Sequence, residues 1–103
     1  MRPYAAAMEL EFDGPVVEWR GPAPYFYVAV PEDECDEIAS VANAVTYGWG
    51  CIPVTATIGE TEFSTALFPK DGGYLLPLKL VVRRAEGVDE GDTVAVRMII
   101  AGP

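Results

Sequence analysis

The stretch GYLLPLKLVVRRAEGVDEGDTVAVRMII, residues 73–100, decides the fold of this chain. Its apolar pattern predicts a strand over residues 74–78, a short basic helix from Lys79 to Glu86, a tight turn, and a second strand from Thr93 to Ile100. Pro77 cannot donate a hydrogen bond to a neighbouring strand, so it predicts an edge strand or a bulge. The stretch therefore predicts one strand-helix-strand unit.

The preceding sequence repeats this order. Residues 25–30 are aromatic or β-branched and predict a strand that ends at Pro31. Proline and the acidic residues after it favour the start of a helix. Apolar residues then recur at three- and four-residue spacing as far as Val45, which predicts three to four helical turns ending at Gly48. A predicted strand over residues 51–58 completes the second unit.

Two further segments have the period of strands. Met8–Phe12 alternates apolar and acidic residues, and residues 16–19 continue the pattern after Asp13-Gly14-Pro15, where we expect a break. Residues 61–68 predict another strand, joined to the strand before it by Gly59-Glu60, which has the length of a primed hairpin turn. Two strand-helix-strand units and these strands predict a small closed or split barrel capped by helices, with a weak internal repeat.

Length and charge bound the possible functions. The 103 residues predict one domain, 1–103, in which residues 1–7 are expected to be flexible. The formal net charge of -9 makes nucleic acid an unlikely partner, because counterion release requires a cationic surface. The apolar runs are too short to cross a membrane, and the first residues do not form a secretion signal. We therefore expect an acidic cytoplasmic protein whose two cysteines are reduced, with a single bridge between them as the less favoured alternative.

Six short motifs occur in a fixed order along the chain. They are YVAVP (27–31), GWG (48–50), VTATIG (54–59), FSTALFP (63–69), GYLLPLK (73–79) and EGDTV (90–94). Together they cover the region from about Met8 to Ile100, and their order resembles the bacterial domain-of-unknown-function family DUF1905.

The resemblance implies a mainly β fold with two short helices, in the form of a six- to seven-stranded double-split β-barrel. Dimeric transition-state regulators and antitoxins of the AbrB and MazE kind share that fold. The resemblance implies no established activity and no cofactor. Some family members are fused to bacteriocin-protection-type domains, which this chain lacks, so a role that depends on such a domain is not expected here.

The residue types exclude the common catalytic centres. The chain contains no histidine, which removes the usual general base and the commonest metal ligand. Cys35 lies in an acidic run that disfavours a thiolate, and Cys51 has the pattern of a small buried residue. The carboxylates of residues 32–37 lack the spacing of a calcium loop, and those of residues 89–92 are typical of a turn. We expect no catalytic residue, no metal site and no cofactor.

Four of the seven cations lie within residues 73–100. One interpretation is a ligand site for an anion, in which Lys79, Arg83 and Arg84 supply the charge, Lys70 joins them from the neighbouring turn, and Trp49 and Tyr74 form the floor. The favoured interpretation of the helix cations is a solvated face, and the commoner role of such a tryptophan is to plug the end of the barrel.

The sequence favours a non-enzymatic binding or interaction domain. Its expected partner is a small anionic ligand or another protein, and the chain is expected to be a monomer or a homodimer. A nucleic-acid-binding regulator or antitoxin-like protein is the alternative, and it rests on fold analogy alone. An enzyme is the least favoured class.

Overall fold

The computed structural model describes residues 8–40 and 50–100. Six strands and two helices lie in these ranges. In chain order they are β1 (Met8–Trp19), β2 (Tyr25–Ala29), α1 (Glu32–Ala39), β3 (Ile52–Ile58), β4 (Thr61–Lys70), β5 (Gly73–Leu78), α2 (Leu80–Glu86) and β6 (Thr93–Ile100). Among the described residues, neither helix has the length and apolar character needed to span a bilayer.

The strands close into one antiparallel barrel in the order β1-β2-β5-β4-β3-β6. Two four-stranded sheets share the long strands β1 and β4. In sheet A, β6 and β3 lie between β1 and β4. In sheet B, β2 and β5 lie between the same two strands. The predicted mainly β barrel with two helices is therefore confirmed.

β1 passes from one sheet to the other without interruption. Its residues 8–15 pair with β6, and its residues 16–19 pair with β2. The predicted break at residues 13–15 is wrong, because Gly14 remains in the ladder opposite Val94. Gly14 packs closely at this crossing, and a Cβ atom there would lie 2.8 Å from Val28 Cγ1. β4 changes sheets in the same way, between residues 67 and 68.

The predicted internal repeat is present in the strand pairing. Each half consists of a long shared strand, a second strand, a helix and a third strand. Exchanging β1 with β4, β2 with β5 and β3 with β6 leaves the order of strands around the barrel unchanged. The two halves therefore form a pseudo-two-fold pair within one chain.

Two short connections match the turn chemistry of the sequence. Gly59-Glu60 joins the paired residues Ile58 and Thr61, and Gly59 has the positive φ of 61° that the prediction requires. The turn between β4 and β5 consists of Asp71-Gly72, where both φ angles are positive, as in a type I′ turn.

Pro77 lies where β5 has a partner on one side only. It pairs with Tyr27 of β2, whereas the pairing of β5 with β4 ends at Leu75. The missing N–H of Pro77 therefore leaves no gap in a ladder, and the predicted edge character is confirmed at this position.

The core fills the barrel and continues under both helices. Inward side chains such as Leu76 and Met98 are completely buried, and Ile38 of α1 and Val82 of α2 join them at the barrel ends. Burial of each such side chain contributes about 1.5–3 kcal/mol. This core holds the outward side chains of both sheets at fixed register.

The helices depart from the sequence prediction in one respect. α2 begins after Lys79 and ends at Glu86, and the next residue, Gly87, has a φ of 63° and forms a left-handed cap. Helical spacing alone predicts that Val81, Val82 and Ala85 lie nearer the core, but Val81 and Ala85 are exposed, Val81 to 68%. The reason is that the two turns of α2 present only Val82 to the barrel end. The predicted continuation of the first helix to Val45 and Gly48 lies outside the described residues.

Candidate functional site

The outward side chains of the two shared strands change chemistry where the strands change sheets. In sheet A, β1 points Glu9, Glu11 and Asp13 outward, and in sheet B it points Val17 and Trp19 outward. This follows from the period of two residues in a strand. β4 likewise carries polar outward residues in sheet A and Phe68 and Lys70 in sheet B.

The outer surface of sheet B is apolar and rich in rings, and we name it the aromatic face. Strand alternation and register assign its members from all four strands. They are Val17, Trp19, Tyr25, Tyr27, Ala29, Phe68, Lys70, Leu75 and Pro77. None of these described outward residues carries a carboxylate, in a chain with 16 acidic residues.

Tyr25 is the centre of the ring cluster. Its ring centroid lies 6.4 Å from that of Trp19, 5.9 Å from that of Tyr27 and 6.0 Å from that of Phe68. The rings are tilted or edge-on to one another, which is the favourable arrangement for aromatic pairs. The cluster is therefore a packed layer outside the barrel rather than a set of independent side chains.

Trp19 is the most accessible ring of the face. It is 43% exposed. Its indole folds back over Gly21, so that a Cβ atom at that position would clash with Nε1. The Nζ atom of Lys70 lies 5.4 Å from the centroid of the Trp19 ring, in cation–π geometry. The Trp19 ring therefore packs between the following loop and Lys70.

The contact between Lys70 and Trp19 spans the width of sheet B. The two residues lie on β4 and β1, which are separated in that sheet by β2 and β5. The long side chains of Lys70 and Trp19 therefore reach toward each other across the outer side of these two strands.

The outer surface of sheet A is different. A cavity of about 230 Å³ lies there, and its lining includes Glu11, Asp13, Thr57 and Arg97. Arg97 is half-exposed and only approaches Glu9, with an Nε to Oε2 distance of 3.9 Å. This surface is polar and carries both acidic and basic side chains.

Arg83, a predicted site residue, is committed to other contacts. Its Cζ atom lies 3.3 Å from the centroid of the Phe26 ring, and its Nη2 atom lies 3.4 Å from Asp89 Oδ1. Its side chain is 18% exposed, and its buried Nε forms no hydrogen bond within the described residues. The alternative that the helix cations are all solvated is therefore wrong for Arg83.

The other two helix cations remain exposed. Lys79 is the residue before α2, and Arg84 lines a cavity of about 270 Å³ together with Arg83 and Asp89. The carboxylate of Asp89 lowers the affinity of this cavity for an anion, because it already balances Arg83. Leu80 and Val81 are 52% and 68% exposed beside these cations.

The predicted floor residues do not complete that cavity. Tyr74 lies near the start of β5, whereas α2 follows the end of β5, about 16 Å away along the strand. Tyr74 packs on the core near α1, and its carbonyl accepts a hydrogen bond from the Val30 N–H. Trp49 lies outside the described residues.

Cys35 has the environment of an unreactive thiol. Its Sγ donates a hydrogen bond to the Val30 carbonyl at 3.3 Å. Burial raises the pKa of the Cys35 thiol, the carboxylates of Asp36, Glu34 and Glu32 add to the rise, and the backbone of Tyr74 opposes it. Both cysteines are free thiols. Residues 8–40 and 50–100 contain no group of three or more ligand side chains placed to hold a metal ion.

The barrel, its capping helices and its ring-covered sheet define a small double-sheet barrel domain. Residues 8–40 and 50–100 contain no recognisable catalytic constellation. The chain matches the family model "Domain of unknown function (DUF1905)" over residues 12–98, and it belongs to that family. The predicted resemblance is therefore confirmed. No curated protein matches the chain.

Local sequence spacing indicates the cations of α2 but not the aromatic face. The signal was present in the outward positions of the strands, because Val17, Trp19, Tyr25 and Tyr27 are apolar where a half-buried strand would carry polar residues. Recognising it required knowing which strands are neighbours.

Proposed function

We propose that this chain is a non-catalytic interaction domain that binds a protein partner through the aromatic face. The observation that carries the proposal is the packed group of four rings on the outer side of sheet B, with Trp19 43% exposed and no carboxylate among the described outward residues. Monomeric proteins rarely expose such a surface without a use for it.

The composition of the face suits a protein partner. Tyrosine and tryptophan are enriched among the residues that dominate protein–protein binding energy, because they bury a large area with few rotatable bonds. The hydrogen bonds within the described residues do not involve the hydroxyls of Tyr25 and Tyr27. These hydroxyls are therefore available to a partner while the rings supply apolar area.

The other candidate partners have less support. A small anion would have to compete with Asp89 for Arg83, as described above. A nucleic-acid-binding regulator would need a broad cationic surface, whereas the described residues of the aromatic face offer Lys70 and those at its border only Lys79 and Arg84, in a chain of net charge -9. The proposal of no enzymatic activity rests on the absence of histidine from the sequence and on the raised pKa of the Cys35 thiol. The two free thiols support a reducing compartment such as the bacterial cytoplasm.

A peptide-display selection tests this function without a guess about the partner. The domain is immobilised at low density, so that copies do not meet, and it is exposed to a library of random twelve-residue peptides. We expect enriched peptides that carry aromatic or aliphatic anchors and that lose binding to the Trp19→Ala and Tyr27→Ala variants. Because Ile99 is 40% exposed on sheet A, Ile99→Ala is the matched control and should bind as the wild type does. Enriched peptides that bind the Trp19→Ala variant equally well would overturn the proposal, and so would the absence of enrichment.

A further inference from the structure

The two ends of the aromatic face, taken along the direction of β5, carry opposite charges. At one end, β5 begins at Gly73, which pairs with Lys70, and α1 lies against it. A Cβ atom on Gly73 would lie 3.6 Å from Cys35 Sγ. α1 exposes four carboxylates at this end, and Asp71 is exposed in the adjoining turn. The four are Glu32, Asp33, Asp36 and Glu37.

The opposite end of the face is basic. β5 ends at Leu78, and the alternation of the strand places the exposed Lys79 on the outer side, level with Tyr25. α2 follows at once and exposes Leu80, Val81 and Arg84. We name Lys79, Leu80, Val81 and Arg84 the basic end of the face, and α1 with Asp71 its acidic end.

Exposed apolar groups are concentrated on the same surface. Among the described residues, four large hydrophobic side chains are highly exposed. Trp19 lies on the aromatic face, Leu80 and Val81 lie at its basic end, and only Ile99 lies on sheet A. The face and its basic end therefore form one extended surface with an apolar centre and opposite charges at its two ends.

From this arrangement we infer that the partner is a second copy of the chain, stacked face to face and antiparallel. A two-fold axis that lies in the plane of the interface and perpendicular to β5 places the basic end of each copy on the acidic end of the other, and the rings meet in the centre. Such an isologous contact satisfies both charged ends at once. The inference rests on the proposed function of the aromatic face and names its partner.

The net charge of -9 on each copy does not oppose this contact strongly. At physiological salt, charges more than about 8 Å apart are largely screened, so the charges at the interface decide the orientation. A stack through sheet A that places β1 on β1 would instead bring Glu9, Glu11 and Asp13 of both copies together. The described outer surface of sheet B is thus the better place for a second acidic chain to bind.

A charge-swap experiment tests the inference by sedimentation equilibrium on the full chain. The first variant reverses the basic end, Lys79→Glu/Arg84→Glu, and the second reverses the acidic end, Asp36→Lys/Glu37→Lys. All four positions are exposed, and circular dichroism checks the fold of each variant. We expect a wild-type dimer, at least a tenfold weaker dimer for either variant alone, and recovery to within about threefold of the wild type when the two are mixed.

The design separates interface charge from general repulsion. The acidic-end variant has a smaller net charge than the wild type, so its failure to dimerise could not come from stronger overall repulsion. The mixed pair has the same total charge as two wild-type copies. The Ile99→Glu/Arg97→Glu variant places two negative charges on sheet A and should dimerise within about threefold of the wild type.

Three results would overturn the inference. They are a wild-type monomer, a dimer that persists in the Trp19→Ala variant, and charge variants whose mixture fails to recover the dimer. If the wild type is a monomer while peptides are still enriched on the aromatic face, the proposed function stands and only the identity of the partner is wrong. If both the dimer and the peptides are absent, the proposed function falls as well.

Discussion

On the outer side of sheet A, β1 presents Glu9, Glu11 and Asp13, whereas on sheet B the same strand presents Val17 and Trp19. No change in secondary structure accompanies this switch, because β1 is continuous and its alternation is unbroken. What changes is the neighbour, since β6 gives way to β2 at residue 16. In this barrel the identity of the neighbouring strand, and not the strand pattern alone, separates a charged outer surface from an aromatic one.

The variant with the largest expected loss of stability tests whether the outward side chains of sheet B form a second packed layer outside the barrel core. Leu75 is 7% exposed, yet it faces outward and lies apart from the main core cluster. We expect Leu75→Ala to lower the free energy of unfolding by about 2–4 kcal/mol, because it leaves a cavity under the rings. The measurement is urea denaturation followed by circular dichroism.

Ile99→Ala is the matched control for Leu75→Ala on sheet A. Ile99 is 40% exposed, so its truncation should cost about 1 kcal/mol or less. If the two variants lose equal free energy of unfolding, the outer surfaces of sheets A and B are packed alike, and the difference described between them is wrong.

The next largest loss of stability is expected at Gly14, where β1 passes from sheet A to sheet B. Gly14→Ala places a Cβ atom 2.8 Å from Val28 Cγ1, in the completely buried surroundings of that side chain. We expect a loss of about 1–3 kcal/mol from this overpacking. Thermal and urea unfolding of the single variants and of Gly14→Ala/Val28→Ala form a double-mutant cycle. The double variant should be more stable than the sum of the two single losses predicts, and strict additivity would argue against the clash.

The difference between the two surfaces also explains what the sequence could predict. β6 was predicted at its observed bounds, and α2 within one residue, because alternation and a left-handed cap are local signals. The anion site was predicted from the clustering of cations in the sequence. Its geometry depends on Phe26, which belongs to a distant strand, and local spacing contains no trace of that contact. The aromatic face was missed for the same reason, since its rings come from β1, β2 and β4.

A smaller effect separates the two adjacent arginines of α2. Arg83 stacks on Phe26, a sheet B residue, whereas Arg84 is exposed. We expect Arg83→Gln to cost about 1–2 kcal/mol, because a partly desolvated cation–π contact and its apolar packing are lost. Arg84→Gln should change the stability by less than about 0.5 kcal/mol. Equal melting temperatures for the two variants would mean that Arg83 belongs to the solvated side of the helix.

The smallest effect is a pH dependence at the acidic end of sheet B, where Cys35 lies under α1 beside Gly73. Because burial raises the pKa of this thiol, the unfolded chain loses the thiol proton first as the pH rises through about 8.5. Between the unfolded and the folded pKa the folded state binds more protons, so the stability that is present below pH 8.5 declines above it. A Cys51→Ser chain should therefore lose more stability between pH 7 and pH 9.5 than a Cys35→Ser/Cys51→Ser chain.

In the Cys51→Ser chain, iodoacetamide should modify Cys35 more than about tenfold more slowly in the folded state than in urea. Modification at similar rates in both states would mean that α1 leaves sheet B readily. The charged end on which the proposed antiparallel dimer depends would then not be a fixed part of the surface.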